Sequence, residues 1–239
     1  MAKTLITLLI WPVAGFMFLI CAGIYLLLSL FIEPKRMYGL IRIFCRIVLL
    51  FAGQWIQVKG HRPDPKKGPY LYMFNHESML DQFIVAAAVP EFINALGAQR
   101  QFSYPVWGLI IKRYGAIPIE RRNLKEAIHG LELVAEEIKT GVSFFIAPEG
   151  TRTLTGELGS FKKGPFHLAF NTGVTIVPII LINAFEAKPK TDWRIHPGKI
   201  TAHFDKPIRG VDYKDKTMLE LQALVKERMQ RIKTQYASN

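Results

Sequence analysis

Residues 70–88 read YLYMFNHESMLDQFIVAAA, and the handover inside that stretch decides the fold. Tyr70 to Phe74 is an unbroken apolar and aromatic run, the length of a buried strand. From Ser78 the period changes, with Met79, Phe83, Ala86 and Ala87 falling on one face at helical spacing. Asn75 and His76 stand between the two patterns, where the strand gives way to the helix. In open α/β sheets, ligands and chemistry gather at the carboxyl ends of strands. Asp81 follows His76 by five residues. On one continuous helix that offset is a rotation of about 140°, and the two side chains diverge. They meet if His76 sits in the loop and Asp81 on the first turn or two of the helix. A neutral imidazole oriented by a carboxylate is a general base for a hydroxyl. Alone, a histidine beside a helix start is more often a cap or a packed core residue. The rest of the chain therefore carries the decision.

Two further strand ends bear charge. Gly115 to Arg122 reads GAIPIERR, a short strand ending in Glu120, Arg121 and Arg122. Asn123 then caps a helix whose apolar face is Leu124, Ile128, Leu131, Ala135 and Ile138, with Gly141 as its stop and His129 turned to solvent. Val142 to Ala147, VSFFIA, is a second buried strand, followed at once by Pro148-Glu149-Gly150-Thr151-Arg152. A glycine there lets backbone amides approach a ligand closely, and the Arg152 fork can grip phosphate oxygens in pairs. Lys162-Lys163-Gly164 opens another helix, to about Phe170, whose amino terminus attracts anions. Val174 to Ile182 is a third core strand, which Pro178 marks as irregular or near an edge. A polar excursion covers 187–199, with a strand at Ile200 to Phe204 and an amphipathic helix from Thr217 to Thr234 beyond it. The stretch Asn94 to Gly108 shows no clear period. Strands alternating with helices predict an α/β domain, a sheet flanked by helices.

The amino-terminal part is different. Leu5 to Ile32 carries no charged residue and is long enough to span a ~30 Å hydrocarbon core. The run is too long for a signal-peptide core, and Cys21-Ala22-Gly23 is followed by more apolar residues, so cleavage is not expected. Pro12 interrupts it, which leaves two arrangements open: a spanning helix, or a hairpin of two helices dipping into one leaflet. Met37 to Val58 predicts an interfacial helix with Arg42 and Arg46 toward phosphate head groups. Residues 1–60 are thus expected to form a membrane-anchoring helical segment, and residues 61–239 the α/β domain. Basic residues after the first apolar segment outnumber Lys3 before it, which places the remainder on the cytoplasmic face, of an inner membrane if the source is bacterial. The net charge of +12 (31 basic against 19 acidic residues) suits anionic membrane lipids. Neither a nucleic-acid motif nor an aromatic-basic platform is present, so nucleic acid is not an expected partner. Cys21 and Cys45, the two cysteines, suggest neither a disulfide framework nor a metal site.

Taken together, Asn75-His76-x4-Asp81, Gly115 to Arg121, and Pro148-Glu149-Gly150-Thr151-Arg152 resemble, in order and spacing, the motifs of PlsC-type glycerophospholipid acyltransferases. The nearest resemblance is to 1-acylglycerol-3-phosphate (lysophosphatidic acid) acyltransferases, and it covers roughly 58–207. In the fourth motif, Val177 to Leu181 keeps one proline of two, and Pro118 stands where the family usually has an aromatic residue. The resemblance implies transfer of an acyl chain from acyl-CoA or acyl carrier protein to the free hydroxyl of lysophosphatidic acid, giving phosphatidic acid. His76 would be the general base and Asp81 its orienting partner. Asn75, Arg121, Glu149, Gly150, Thr151, Arg152 and Lys162 would form the substrate-binding set. A thioester is already activated, so the resemblance implies no metal and no cofactor beyond the donor. Two alternatives accompany it: an acyltransferase or transacylase acting on another lysophospholipid or on glycerol-3-phosphate, and a non-catalytic lipid-binding protein.

Overall fold

The computed structural model describes residues 2–120 and 123–237. Helices α1 (Ala2–Leu28) and α2 (Tyr38–Phe51) lead into strand β1 (Gln54–Gly60). There follow β2 (Tyr70–Phe74), α3 (Asp81–Ala88), β3 (Ile93–Ala98), α4 (Trp107–Tyr114), β4 (Ile117–Ile119), α5 (Leu124–Lys139) and β5 (Ser143–Ile146). The chain closes with α6 (Gly164–Thr172), β6 (Thr175–Ile182), α7 (Ala184–Ala187), β7 (Gly198–Phe204), α8 (Gly210–Tyr213) and α9 (Met218–Ala237). Among the described residues the strands form one seven-stranded sheet in the order β1-β7-β6-β2-β5-β3-β4. All neighbours are parallel except β6 and β7.

The expected mixed α/β architecture follows from β2, which is buried along its whole length. Its odd and even side chains enter different cores. Tyr70, Tyr72 and Phe74 pack with Ile84, Val85 and Ala88 of α3 and Leu49 of α2. Leu71 and Met73 pack on the other face with Val134 of α5, Phe166 of α6 and Val225 of α9. A continuous apolar run is what a strand with helices on both faces requires.

Several local expectations are corrected. The helix read as reaching Val58 ends at Phe51; Gly53, at φ +75°, turns the chain and Gln54–Gly60 joins the sheet beside β7. Arg46, assigned to head groups, is exposed but donates to the Ala87 carbonyl at the end of α3. The stretch without a period, Asn94 to Gly108, holds most of β3 and the first two residues of α4. Pro178 lies inside the sheet rather than at its edge. Its carbonyl accepts the Asp205 N–H at 2.9 Å, just past the last β7 pair, Ile179 with Phe204.

Helix α1 runs unbroken through Pro12, and Lys3–Leu28 is long and apolar enough to cross a membrane. It does not stand away from the domain. Thr7, Ala14, Cys21, Ala22 and Tyr25 form a buried face. The Thr7 hydroxyl accepts the Ile195 N–H at 3.3 Å, the Trp11 indole donates to the Trp193 carbonyl at 3.0 Å, and Phe18 packs edge-on against Phe83. The opposite face, with Leu5, Leu9, Phe16 and Leu27, is exposed.

At the end of β2, the Asn75 side chain continues the ladder. Its carboxamide accepts the Leu181 N–H at 2.7 Å and donates to the Leu181 carbonyl at 3.1 Å, one step beyond the last backbone pair with β6. Asn75→Ala orphans both buried groups of Leu181, at about 1–3 kcal/mol each. Chemical denaturation should show the lowered midpoint, and an unchanged midpoint would remove Asn75 from the framework.

Candidate active site

The loops leaving β2, β5 and β6 converge beyond the same edge of the sheet. His76 lies in the first, and Asp81 is the first residue of α3. His76 Nδ1 is 2.7 Å from Asp81 Oδ2. Asp81 is fully buried, and the same oxygen accepts the N–H groups of Glu77 at 2.8 Å and Ser78 at 2.9 Å. A carboxylate only accepts, so Nδ1 carries the ring proton and Nε2 is left as the acceptor. The ring is partly exposed and sits edge-on to Phe74.

The loop after β5 clamps His76 from the other side. Glu149 is buried; its Oε1 accepts the His76 N–H at 2.9 Å and its Oε2 the Gly159 N–H at 2.8 Å. The Thr153 N–H donates to the His76 carbonyl at 2.8 Å. Both peptide groups of the histidine are therefore held by the segment that follows Pro148. Gly150 has φ +71°, a conformation suited to glycine, and a Cβ there would lie 3.4 Å from the Lys162 side chain. Thr151 is exposed, Arg152 half-buried, and Lys162 exposed with its N–H on the Pro148 carbonyl at 2.7 Å. Asn75 is buried against Leu181. Arg121 lies outside the described residues.

Lys188, in the polar excursion, was not singled out by sequence. The Ser78 hydroxyl donates to its carbonyl at 2.9 Å, and its ammonium donates to the carbonyls of Pro189 and Asp192. Burial and, secondly, the charge of Arg152 hold this ammonium below the ordinary lysine value. The charges of Arg152 and Lys188 thus act on one another, and Asp192 partly offsets the effect on Lys188.

On its other side His76 borders a cavity of about 1010 Å³, at the upper end of the range for small-molecule sites. Its wall is apolar, with Phe18, Phe83, Trp107, Leu131 and Phe145 prominent, and Gln82, Lys162 and Lys163 among its polar members. Leu124 and Ile128 of α5 are exposed side chains that line this space. The apolar face read from sequence therefore belongs partly to the cavity, and Val134 and Ile138 are the α5 residues buried in the core.

Residues 55–182 match the acyltransferase family model, more than half of the chain. The chain belongs to the acyltransferase family. Among curated acyltransferases, it is 30% identical over 185 residues to a 1-acyl-sn-glycerol-3-phosphate acyltransferase of Cocos nucifera, covering 77% of this chain and 59% of that protein. A chloroplastic 1-acyl-sn-glycerol-3-phosphate acyltransferase of Arabidopsis thaliana is 34% identical over 145 residues, 59% of this chain and 40% of that one. The match thus spans less than two thirds of the length of these plant relatives. A crystal structure of the 1-acyl-sn-glycerophosphate (LPA) acyltransferase PlsC from Thermotoga maritima has the same fold, with a TM-score of 0.85, 22% identity, and coverage of 100% of this chain and 97% of that one.

The Glu149 carboxylate makes its contacts with backbone amides, which predicts a positioning effect. Glu149→Gln turns an N–H donor toward one of those amides, so kcat should fall, by up to about 100-fold if the histidine is displaced by 1 Å. The acceptor KM should stay nearly unchanged in steady-state kinetics. A rise in KM with kcat intact would return Glu149 to the ligand set.

Proposed function

We propose that this protein transfers an acyl chain from an acyl thioester, acyl-CoA or acyl carrier protein, to the free hydroxyl of lysophosphatidic acid, giving phosphatidic acid. The observation that carries this reading is the 2.7 Å contact between His76 Nδ1 and buried Asp81, with the ring bordering a large apolar cavity. Family membership and the names of the relatives support the reaction class and the acceptor.

In this reading His76 Nε2 takes the proton of the acceptor hydroxyl as its oxygen attacks the thioester carbonyl. Asp81 stabilises the imidazolium that forms. The C–S bond breaks, the thiolate leaves, and His76 returns the proton to it. Asn75 and Glu149 hold the base, while Arg152 and Lys188 receive the acceptor phosphate with Gly150, Thr151 and Lys162 around it; the motif resemblance alone assigns Arg121 to the same phosphate. The cavity takes an acyl chain by burying it among aromatic and aliphatic side chains. The exposed apolar face of α1 rests in the membrane interface, so that the domain works at the surface of anionic lipid. The basic residues that follow the first apolar segment, Lys35, Arg36, Arg42 and Arg46, favour the cytoplasmic leaflet, where the anionic lipids lie.

Thiol release by the detergent-solubilised protein tests the proposal, with one acyl-CoA and, separately, lysophosphatidic acid, glycerol-3-phosphate and lysophosphatidylcholine. Release should require lysophosphatidic acid and vanish in His76→Ala. In Asp81→Asn it should drop by about 10⁴-fold with the fold intact, as when a triad loses its orienting carboxylate. Release with a different acceptor would keep the chemistry and replace the substrate; full activity in either variant would end the mechanism. Arg152→Ala and Lys188→Ala should raise the acceptor KM more than they lower kcat, and an unchanged KM would remove these cations from the site.

A further inference from the structure

Glu77 follows His76 directly, is 2% exposed, and has no part in the proton transfer just described. One carboxylate oxygen, Oε1, is paired with the ammonium of Lys233, which comes from α9, 156 residues away in sequence. The other, Oε2, accepts the Phe185 N–H of α7 at 3.2 Å. The Lys233 ammonium donates also to the Gly156 carbonyl, in the loop whose Gly159 holds Glu149. A single cation therefore ties together the loop that carries His76, the loop that carries Glu149, and the carboxyl-terminal helix.

Stability alone does not account for such a pair. A buried ion pair contributes little net free energy compared with packed apolar residues of the same volume, whereas removing one partner is costly. What the pair does supply is a fixed place for one peptide group. The Glu77 N–H donates to Asp81 Oδ2, the same oxygen that receives His76 Nδ1. Any shift of Glu77 is passed to that carboxylate and from it to the imidazole.

We infer that the Glu77–Lys233 pair is a positioning device for the catalytic dyad, so that α9 is a working part of the active site. The inference rests on the acyl-transfer reading above. Burial pushes the Glu77 carboxyl up to about 7, and Lys233 is the strongest influence opposing it. The other groups acting on it are the Asn75 amide, which also favours the ionised form, and Asp81 of α3, which disfavours it. Without Lys233 a neutral Glu77 is the favoured form, and the carboxylate that spans α7 and α9 is lost.

The full-length protein with Lys233→Met, Lys233→Arg and the double change Glu77→Gln with Lys233→Met tests this. Lys233→Met should lower kcat for thiol release by about 10- to 100-fold, as small misplacements of a catalytic group do, with the acceptor KM within about twofold. Lys233→Arg, which keeps the cation, should retain most of the wild-type kcat. The double variant should stay as slow as Lys233→Met, since it too lacks the cation that ties both loops to α9; recovery of the wild-type kcat there would show that an unpaired buried group, and not lost positioning, caused the defect. Hydrogen exchange supplies a readout independent of turnover: the amides of Glu77 and Ser78 should exchange faster in Lys233→Met and not in Lys233→Arg. Wild-type kcat in Lys233→Met, or a lost kcat with unchanged exchange at those two amides, would overturn the inference. If the wild-type protein released no thiol at all, the acyl-transfer reading would fall, and the exchange data would still decide whether Lys233 holds the loop. Should Lys233→Met not fold, the double variant and Lys233→Arg carry the same comparison.

Discussion

One carboxylate oxygen organises this protein. Asp81 Oδ2 accepts from the His76 ring and from the amides of Glu77 and Ser78. These contacts fold residues 76–81 into a closed turn at the amino end of α3, where the helix dipole also favours a negative charge. The turn can close only because Asp81 is fully buried and therefore keeps its donors free from competition with water. The neighbouring contacts guard this geometry. Asn75 fixes the end of β2 to β6, Glu149 and Thr153 hold the two peptide groups of His76, and Ser78 is tied to Lys188. Each comes from a different strand end, so the sheet topology is what makes the local turn rigid.

The same topology separates polar from apolar duties. The charged groups gather on the loops beyond the strand ends, while the space beside β3 is walled by α1, α3, α4 and α5. On the proposed reading this division suits the reactants, with a phosphate at the cations and a hydrocarbon chain among the aromatic side chains. It also explains why α1 is docked rather than free-standing. Phe18, Cys21 and Tyr25 are part of the cavity wall, so the exposed apolar face of α1 and one wall of the cavity are two faces of one element.

Much of this was legible in the sequence where local chemistry and tertiary role coincide. The run Tyr70 to Phe74 is apolar because both faces of β2 are covered, and the change of period at Ser78 marks the helix. Asp81 on the first helical turn is what allows a five-residue offset to close on His76. Elsewhere the local signal pointed away from the outcome. In β3, INALGA has few β-branched residues, because part of it lines a cavity and needs no bulk. The apolar run of α2 continues into β1 and hides the strand, although Ala52-Gly53 is a helix stop of the ordinary kind. Leu124 and Ile128 gave a sound helical period, but a period does not distinguish a core face from a cavity wall. Lys188 and Lys233 were out of reach for a different reason. Their partners are brought to them by the fold, across 110 and 156 residues, and no spacing rule connects such positions.

The central claim is that Asp81 presents His76 with its Nδ1 protonated and Nε2 free to accept. Nitrogen NMR on protein carrying ¹⁵N-labelled histidine reads that tautomer directly, with His76→Gln to assign the signals. The account predicts a neutral ring protonated on Nδ1 in the wild type, and loss of that preference in Asp81→Asn. A wild-type ring protonated on Nε2, or a tautomer indifferent to Asp81, would contradict it.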